Sequence, residues 1–164
     1  MAIDAYLKIG DIKGESTDSG HKQWVEISHV SWGVTQPRAS TLSTAGGHTN
    51  GKADLSEVSF TKLADVASPI LFQQCAMGKT IPSATLEFMR ADGDGKPVTY
   101  FKVELDNVMV SSFHPNSGEG GILTEQVSLA YSRIKLSYTQ QKITGGAGGN
   151  TSGSWDCAAN KVCA

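Results

Sequence analysis

Four kinds of residue in this chain could do chemistry. Gly46 to Ala53 has the G-x-x-x-x-G-K spacing of a phosphate-binding loop. Ala53 stands where a Ser or Thr hydroxyl would ligate magnesium, and no strand leads in or helix out to supply a helix N-terminus for phosphate. Gly78-Lys79-Thr80 repeats the end of the same motif, but Gln73 replaces its first glycine and the segment closes a helix. Both read as turns. Asp92-Gly93-Asp94-Gly95 resembles the start of a calcium loop, yet its twelfth position is Val103 instead of a bidentate Glu, and Pro97 lies inside it. A hairpin turn is the better reading. His21, His29, His48 and His114 sit in separate segments, and Cys157 and Cys163 have no second pair or nearby His, so neither set has zinc spacing. No G-x-S-x-G elbow is present, nor a Cys beside a positioned His. No catalytic, cofactor-binding or metal-binding residue is therefore assigned, and the chain reads as a non-enzyme.

The elements that would position such residues are strands. At 164 residues the chain is one domain, large enough to bury roughly two thirds of its unfolded surface without staples. Charged residues are only 18% and the net charge is −2, which leaves no electrostatic footprint for nucleic acid or an anionic membrane. An odd three cysteines do not make a disulfide framework, so reduced thiols are expected. The N-terminus lacks the basic and apolar regions of a signal peptide, and no apolar run could span a bilayer.

Ile3, Ala5, Leu7 and Ile9 alternate with polar residues, which predicts a half-buried strand ending at Gly10. Asp11 to His21 reads as an exposed loop. Val25 and Ile27 share one parity with each other and Val30, Trp32 and Val34 take the other, so a β-bulge near Ser28 and His29 would put both sets on one face. Arg38 to Asp54 has no periodicity, and so long a structureless stretch points to function. Ser68 as N-cap, Pro69 in the first turn and Gly78 as stop delimit one short helix. Further strands follow through Phe88, Phe101 to Leu105, Val108 to Phe113, and Val127 to Tyr131. A second parity shift leads to Ile134, Leu136 and Tyr138. His114 to Gly121 reads as a loop, and Gly145 to Gly149 as a flexible linker by composition. The expectation is a mainly β fold: an antiparallel β-barrel of two packed sheets with one short flanking helix. The barrel domain covers residues 1–143, and a linker and tail cover 144–164. Trp32, Phe60 and Phe88 are its aromatic core, while Trp155, beyond the linker, docks from outside.

Several stretches taken in order resemble the hemolysin-coregulated protein family of bacterial type VI secretion. They are Leu7-Lys8-Ile9-Gly10-Asp11-Ile12-Lys13-Gly14-Glu15-Ser16, then Ser31-Trp32-Gly33 with the glycine-rich stretch after it. Ser59-Phe60-Thr61-Lys62 leading to Ser68-Pro69 and Gly78-Lys79 follows, then Leu123 to Leu129 and the tail Trp155-Asp156 to Asn160. The likeness spans nearly the whole chain. It implies a homohexameric ring whose copies stack into a tube, with contractile sheath and spike proteins as partners and small effectors in the lumen. It implies manufacture in the bacterial cytoplasm and export without a signal peptide. No cofactor is implied. The family's second strand lines the channel, which makes Ser31 a lumen candidate. The loop 38–54, with Leu42, Gly46, Gly47, His48 and Thr49, is the candidate for reaching a neighbouring subunit. A phage or phage-like tail tube protein is the alternative, and a carbohydrate-binding or enzymatic β-sandwich a more distant one. The two tail cysteines are a departure from the family pattern.

Overall fold

The computed structural model describes residues 4–37, 51–118 and 120–163. Alternating apolar residues become strands β1 (Ala5–Ile9), β2 (Val25–Ser31), β5 (Val58–Leu63), β6 (Ile81–Ala91), β7 (Pro97–Ser117), β8 (Leu123–Ala130), β9 (Arg133–Gln141) and β10 (Ala147–Asp156). Two short strands, β3 (Val34–Thr35) and β4 (Asp54–Leu55), pair with each other as a two-stranded stem. Helix α1 (Ser68–Met77) lies between β5 and β6 in the chain and packs on β7.

All strand pairings are antiparallel, and the order β7-β6-β1-β2-β5-β8 closes because β8 pairs again with β7. Strand β7 makes this closure possible. Its first half pairs with β6 and β9, its second with β8, and between them Asn107 takes φ 51°, a conformation Asn tolerates better than most residues. One 21-residue strand thus belongs to two sheets. Strands β9 and β10 extend the first sheet beyond the barrel.

The expected mainly β architecture, a β-barrel with one short helix, is what the structure shows. The bulge near Ser28 and His29 is present: pairing of β2 with β5 shifts register between Ser28 and Ser31, and His29 has φ 49°. The second parity shift is instead a corner at Tyr131 and Ser132, where the chain leaves one sheet for the other. Asp92 to Lys96 is a hairpin turn closed by Gly95 N–H donating to the Asp92 carbonyl at 2.8 Å.

The structure departs from the sequence reading in several places. Residue Ala67, not Ser68, is the N-cap, because the Ser68 hydroxyl is engaged in a buried polar cluster described below. Gly78 does stop the helix, at φ 61°. His114 to Ser117 continue β7, because the backbone still pairs with Leu123 to Gln126. Asp11 to His21 is a clamped loop with Ser16 and His21 buried. Within it, Gly14 lies so near the Trp24 carbonyl that an added Cβ would sit 2.4 Å from its oxygen. The glycine stretch is no linker. Gly145 and Gly146, at φ 88° and 86°, make a turn and Ala147 onward pairs with β9 to Asp156, so the tail is part of the sheet.

The core gathers Leu7, Ile9, Val25, Phe60, Leu86, Leu105 and Leu129 with Leu71 of the helix. Phe60 is buried at 1% exposure and Phe88 at 9%. Trp32 sits at the core's margin, half-buried against Phe88 and Phe101 at ring-centroid distances of 5.9 and 5.8 Å. Val34, expected inside with it, is 68% exposed, because the chain turns out of the barrel into the β3–β4 stem. Trp155 packs against the same core margin, since β10 carries it into the sheet.

Candidate functional surfaces

The barrel's two outer faces differ in chemistry. Where Val58 and Phe60 of β5 and Val127 and Leu129 of β8 point inward, their neighbours in the chain point out. Register aligns Ser31, Ser59, Ser128 and Ser112 in one row across β2, β5, β8 and β7. The next row holds Thr61, Gln126 and His114, and beyond it Thr124 faces Asn116. Within these rows no residue is Asp, Glu, Lys or Arg. The Ser59 and Ser128 hydroxyls are 2.8 Å apart and hydrogen-bonded. Ser31 itself is exposed at the end of β2.

The outer face of the other sheet is laced with charge. Glu104 lies opposite Lys135 and Asp106 opposite Arg133, while Glu87 lies opposite Lys102. Such opposed pairs stabilise an antiparallel sheet by tenths of a kcal/mol each, about 0.2–1. Arg133 Nε donates to Asp156 Oδ2 at 2.8 Å. The backbone N–H of Ala159 and this guanidinium hold the Asp156 carboxyl below the usual carboxylate range.

Two polar clusters are buried. Beneath α1, the Lys62 ammonium has Glu125 Oε2 at 2.7 Å, Asp65 Oδ1 at 2.9 Å and the Leu63 carbonyl at 2.8 Å. Ser68 Oγ donates to Glu125 at 2.8 Å and accepts the Asp65 N–H at 2.9 Å. Lys62 shares inward parity with Val58 and Phe60, and Glu125 with Val127 and Leu129. A charged residue on each of two core-facing rows is the signal that the sequence carries for this cluster. The second cluster fastens the clamped loop to β6. His21 Nδ1 is 2.7 Å from Asp18 Oδ2 and Nε2 is 2.7 Å from Glu87 Oε2. The ring stacks on Tyr6 at 4.4 Å and meets the edge of Trp24 at 4.8 Å. Each ring nitrogen thus faces one carboxylate oxygen. The hydrogen bond from His21 holds the Asp18 carboxyl below its ordinary value. For Glu87, burial pushes upward, but His21 and the nearby Lys102 charge outweigh it and the net direction is down.

An apolar groove of about 420 Å³ lies between the β3–β4 stem and the β9–β10 hairpin, lined by Trp32, Val34, Leu55, Leu136 and Trp155 among others. Burial pushes the phenol of Tyr131, which also lines this groove, up to about 12 and raises the Cys157 thiol. Cys75, Cys157 and Cys163 are free thiols. Among the described residues no group of three His, Cys, Asp or Glu could hold a metal, and no helix is long and apolar enough to cross a membrane. The residues Leu42, Gly46, Gly47, His48 and Thr49, proposed for subunit contact, lie outside the described residues.

The fold of a closed six-stranded barrel with one flanking helix is shared with type VI secretion proteins of known structure. One solved type six secretion system protein superposes with a TM-score of 0.91 at 31% identity, over 99% of this chain and 100% of that one. Hcp1 from Salmonella typhimurium superposes at 0.81, also 31% identical, over 99% and 100%. In sequence, residues 6–138 match the family described as type VI secretion system effector, Hcp. Protein hcp1 of Pseudomonas aeruginosa is 36% identical over 163 residues, 98% of each chain. The chain belongs to the Hcp family of type VI secretion.

Proposed function

We propose that this chain is the ring subunit of a secretion tube: a homohexamer whose rings stack inside a contractile sheath behind a spike. It is made in the cytoplasm and expelled with the tube, and its role is structural, not catalytic. The neutral face built on the Ser31, Ser59, Ser128 and Ser112 row is turned to the lumen, and the charged face is turned away from it. The contrast between these faces carries the reading. A channel that passes proteins of varied sequence favours short neutral side chains, which hydrogen-bond weakly and do not arrest either sign of charge. Ser31 lies in that row, so small effectors held in the lumen would touch it. The loop 38–54 is the candidate for reaching a neighbouring subunit, in this ring or the next.

A Ser31→Gln variant tests the lumen assignment. Rings should persist in negative-stain images, because an exposed strand end accommodates a longer side chain, while an effector that co-purifies with wild type should be recovered at a several-fold lower level. Equal recovery with intact rings refutes the lumen placement. Absence of rings from the wild-type protein refutes the tube reading as a whole.

A further inference from the structure

We infer that His29 and His114 select cargo by charge: on protonation they turn the neutral face positive, and it then holds acidic proteins and rejects basic ones. This rests on the lumen reading above and names the class of cargo that the face retains. Strand register puts Ser28, Thr61, Gln126 and His114 in a single row across β2, β5, β8 and β7. His29 stands at the far end of that row, where the bulge gives it φ 49° and its Nδ1 lies 3.2 Å from the Ser28 hydroxyl. Both histidines are exposed. They are the titratable side chains of a face otherwise built from hydroxyls and amides.

The charges around the two histidines are few. Lys62 and Glu125 adjoin Thr61 and Gln126 in the chain, but they turn inward and pair with each other at 2.7 Å. Helix α1, which packs on β7, carries no charged residue. At the margins of the face are Glu57, which accepts the Ser111 hydroxyl at 2.7 Å, and Glu26, two residues before Ser28 on β2. Among the described residues neither carboxylate is bonded to a histidine. His21 differs: it is buried between Asp18 and Glu87, so a change in its charge bears on the fold and not on cargo.

Imidazole ordinarily changes charge between about pH 5 and 8, where carboxylates stay ionised and ammonium groups stay protonated. Across that interval each subunit gains two positive charges on this face as pH falls, and a closed ring repeats them around one channel. A concave surface lined by one sign of charge concentrates the opposite sign, while salt confines the attraction to about 8 Å. Acidic cargo is therefore held more tightly as pH falls. By linkage, such cargo favours the protonated histidines to the same extent.

Rhodamine-labelled oligo-aspartate, with oligo-lysine as the control, tests this by fluorescence anisotropy on wild-type rings at about pH 5.5 and about pH 8. Oligo-aspartate should bind several-fold more tightly at the lower pH, and oligo-lysine should not. The double variant His29→Gln with His114→Gln should form rings and lose that difference. The double variant His29→Lys with His114→Lys, charged throughout, should bind oligo-aspartate at both pH values. His21 and His48 remain in every variant, so the comparison isolates the pair. Equal binding by wild-type rings at both pH values, or an undiminished difference in the Gln variant, overturns the proposal and leaves the lumen reading standing. If the Gln variant forms no rings, the Lys variant decides, and binding only at the lower pH overturns the proposal. Oligo-aspartate fixed to beads, which cannot enter a ring, should capture no more wild-type protein at the lower pH. Bead capture that depends on these histidines places them outside the channel and refutes the lumen reading itself.

Discussion

Replacing Glu125 by Leu puts the buried cluster beneath α1 to the test. The side chain is 2% exposed and that of Lys62 wholly buried, so solvent cannot screen what is lost. Leucine roughly conserves volume, which keeps cavity formation out of the measurement, but it removes the Lys62 contact at 2.7 Å and the Ser68 contact at 2.8 Å together. Breaking a buried ion pair on one side costs about 3–5 kcal/mol. Asp65 stays 2.9 Å from the ammonium and offsets part of the loss, which places the expectation near the lower bound, about 3 kcal/mol. With an unfolding entropy of about 2.1 cal/mol/K per residue, 164 residues give ~0.34 kcal/mol/K, so the melting midpoint should fall by about 9 °C. The companion variant Lys62→Met with Glu125→Leu removes both charges. It should recover at least half of that loss, because no stranded ammonium remains. Calorimetry of the wild type, both single variants and the double variant measures the coupling. A fall under 3 °C in Glu125→Leu, or a double variant whose loss equals the sum of the singles, refutes the account of the cluster as one interdependent unit.

Acid should loosen the loop that carries His21. Asp18 and Glu87 both have folded-state values below their unfolded ones, so their contribution is complete above the ordinary carboxylate range and is lost as pH falls through the depressed folded values. Melting midpoints recorded from pH 6 downward should decline below about pH 4, and Glu87→Gln should decline less steeply across the same interval. Phe60→Ala, at the centre of the core, should cost about 3–5 kcal/mol, and Trp32→Ala and Trp155→Ala less than that and similar to each other, since both flank the groove. Thermal melts of the three check the order, and a Trp155→Ala loss exceeding that of Phe60→Ala would show the β9–β10 hairpin to be central to the fold and not an extension of it.

The barrel was legible where side chains alternate. Leu7 and Ile9, Val25 and Ile27, Val103 and Leu105, and Val127 and Leu129 are all buried, and their period of two is what an antiparallel sheet with one wet face imposes. The helix was legible from Pro69 and Gly78. Strand β10 was not, because Gly-Gly-Asn-Thr-Ser-Gly has no apolar face to read. Its conformation comes from backbone bonds to β9, which are indifferent to side-chain type. His21 read as a surface residue because it closes a polar stretch, and the partners of His21 and Lys62, Glu87 and Glu125, lie 66 and 63 residues further on. Only register brings such pairs together. The Ser31 row had the same property: four serines on four strands mean nothing separately and form a surface once β2, β5, β8 and β7 are aligned.

That β5 must wait for β8 has a kinetic consequence. When β1, β2 and β5 have left the ribosome, β5 has one edge on β2 and the other open, and it stays open while α1, β6 and the whole of β7 are synthesised. Closure therefore depends on contacts of large sequence separation, whose loop entropy is lost before their burial is gained, and this places the chain among slow, late-folding β topologies. Because β7 serves both sheets, neither half of the barrel can mature as an independent unit. Nascent chains halted before Leu123 carry an exposed strand of alternating valine, phenylalanine and lysine, and would need a chaperone until the last barrel strand arrives.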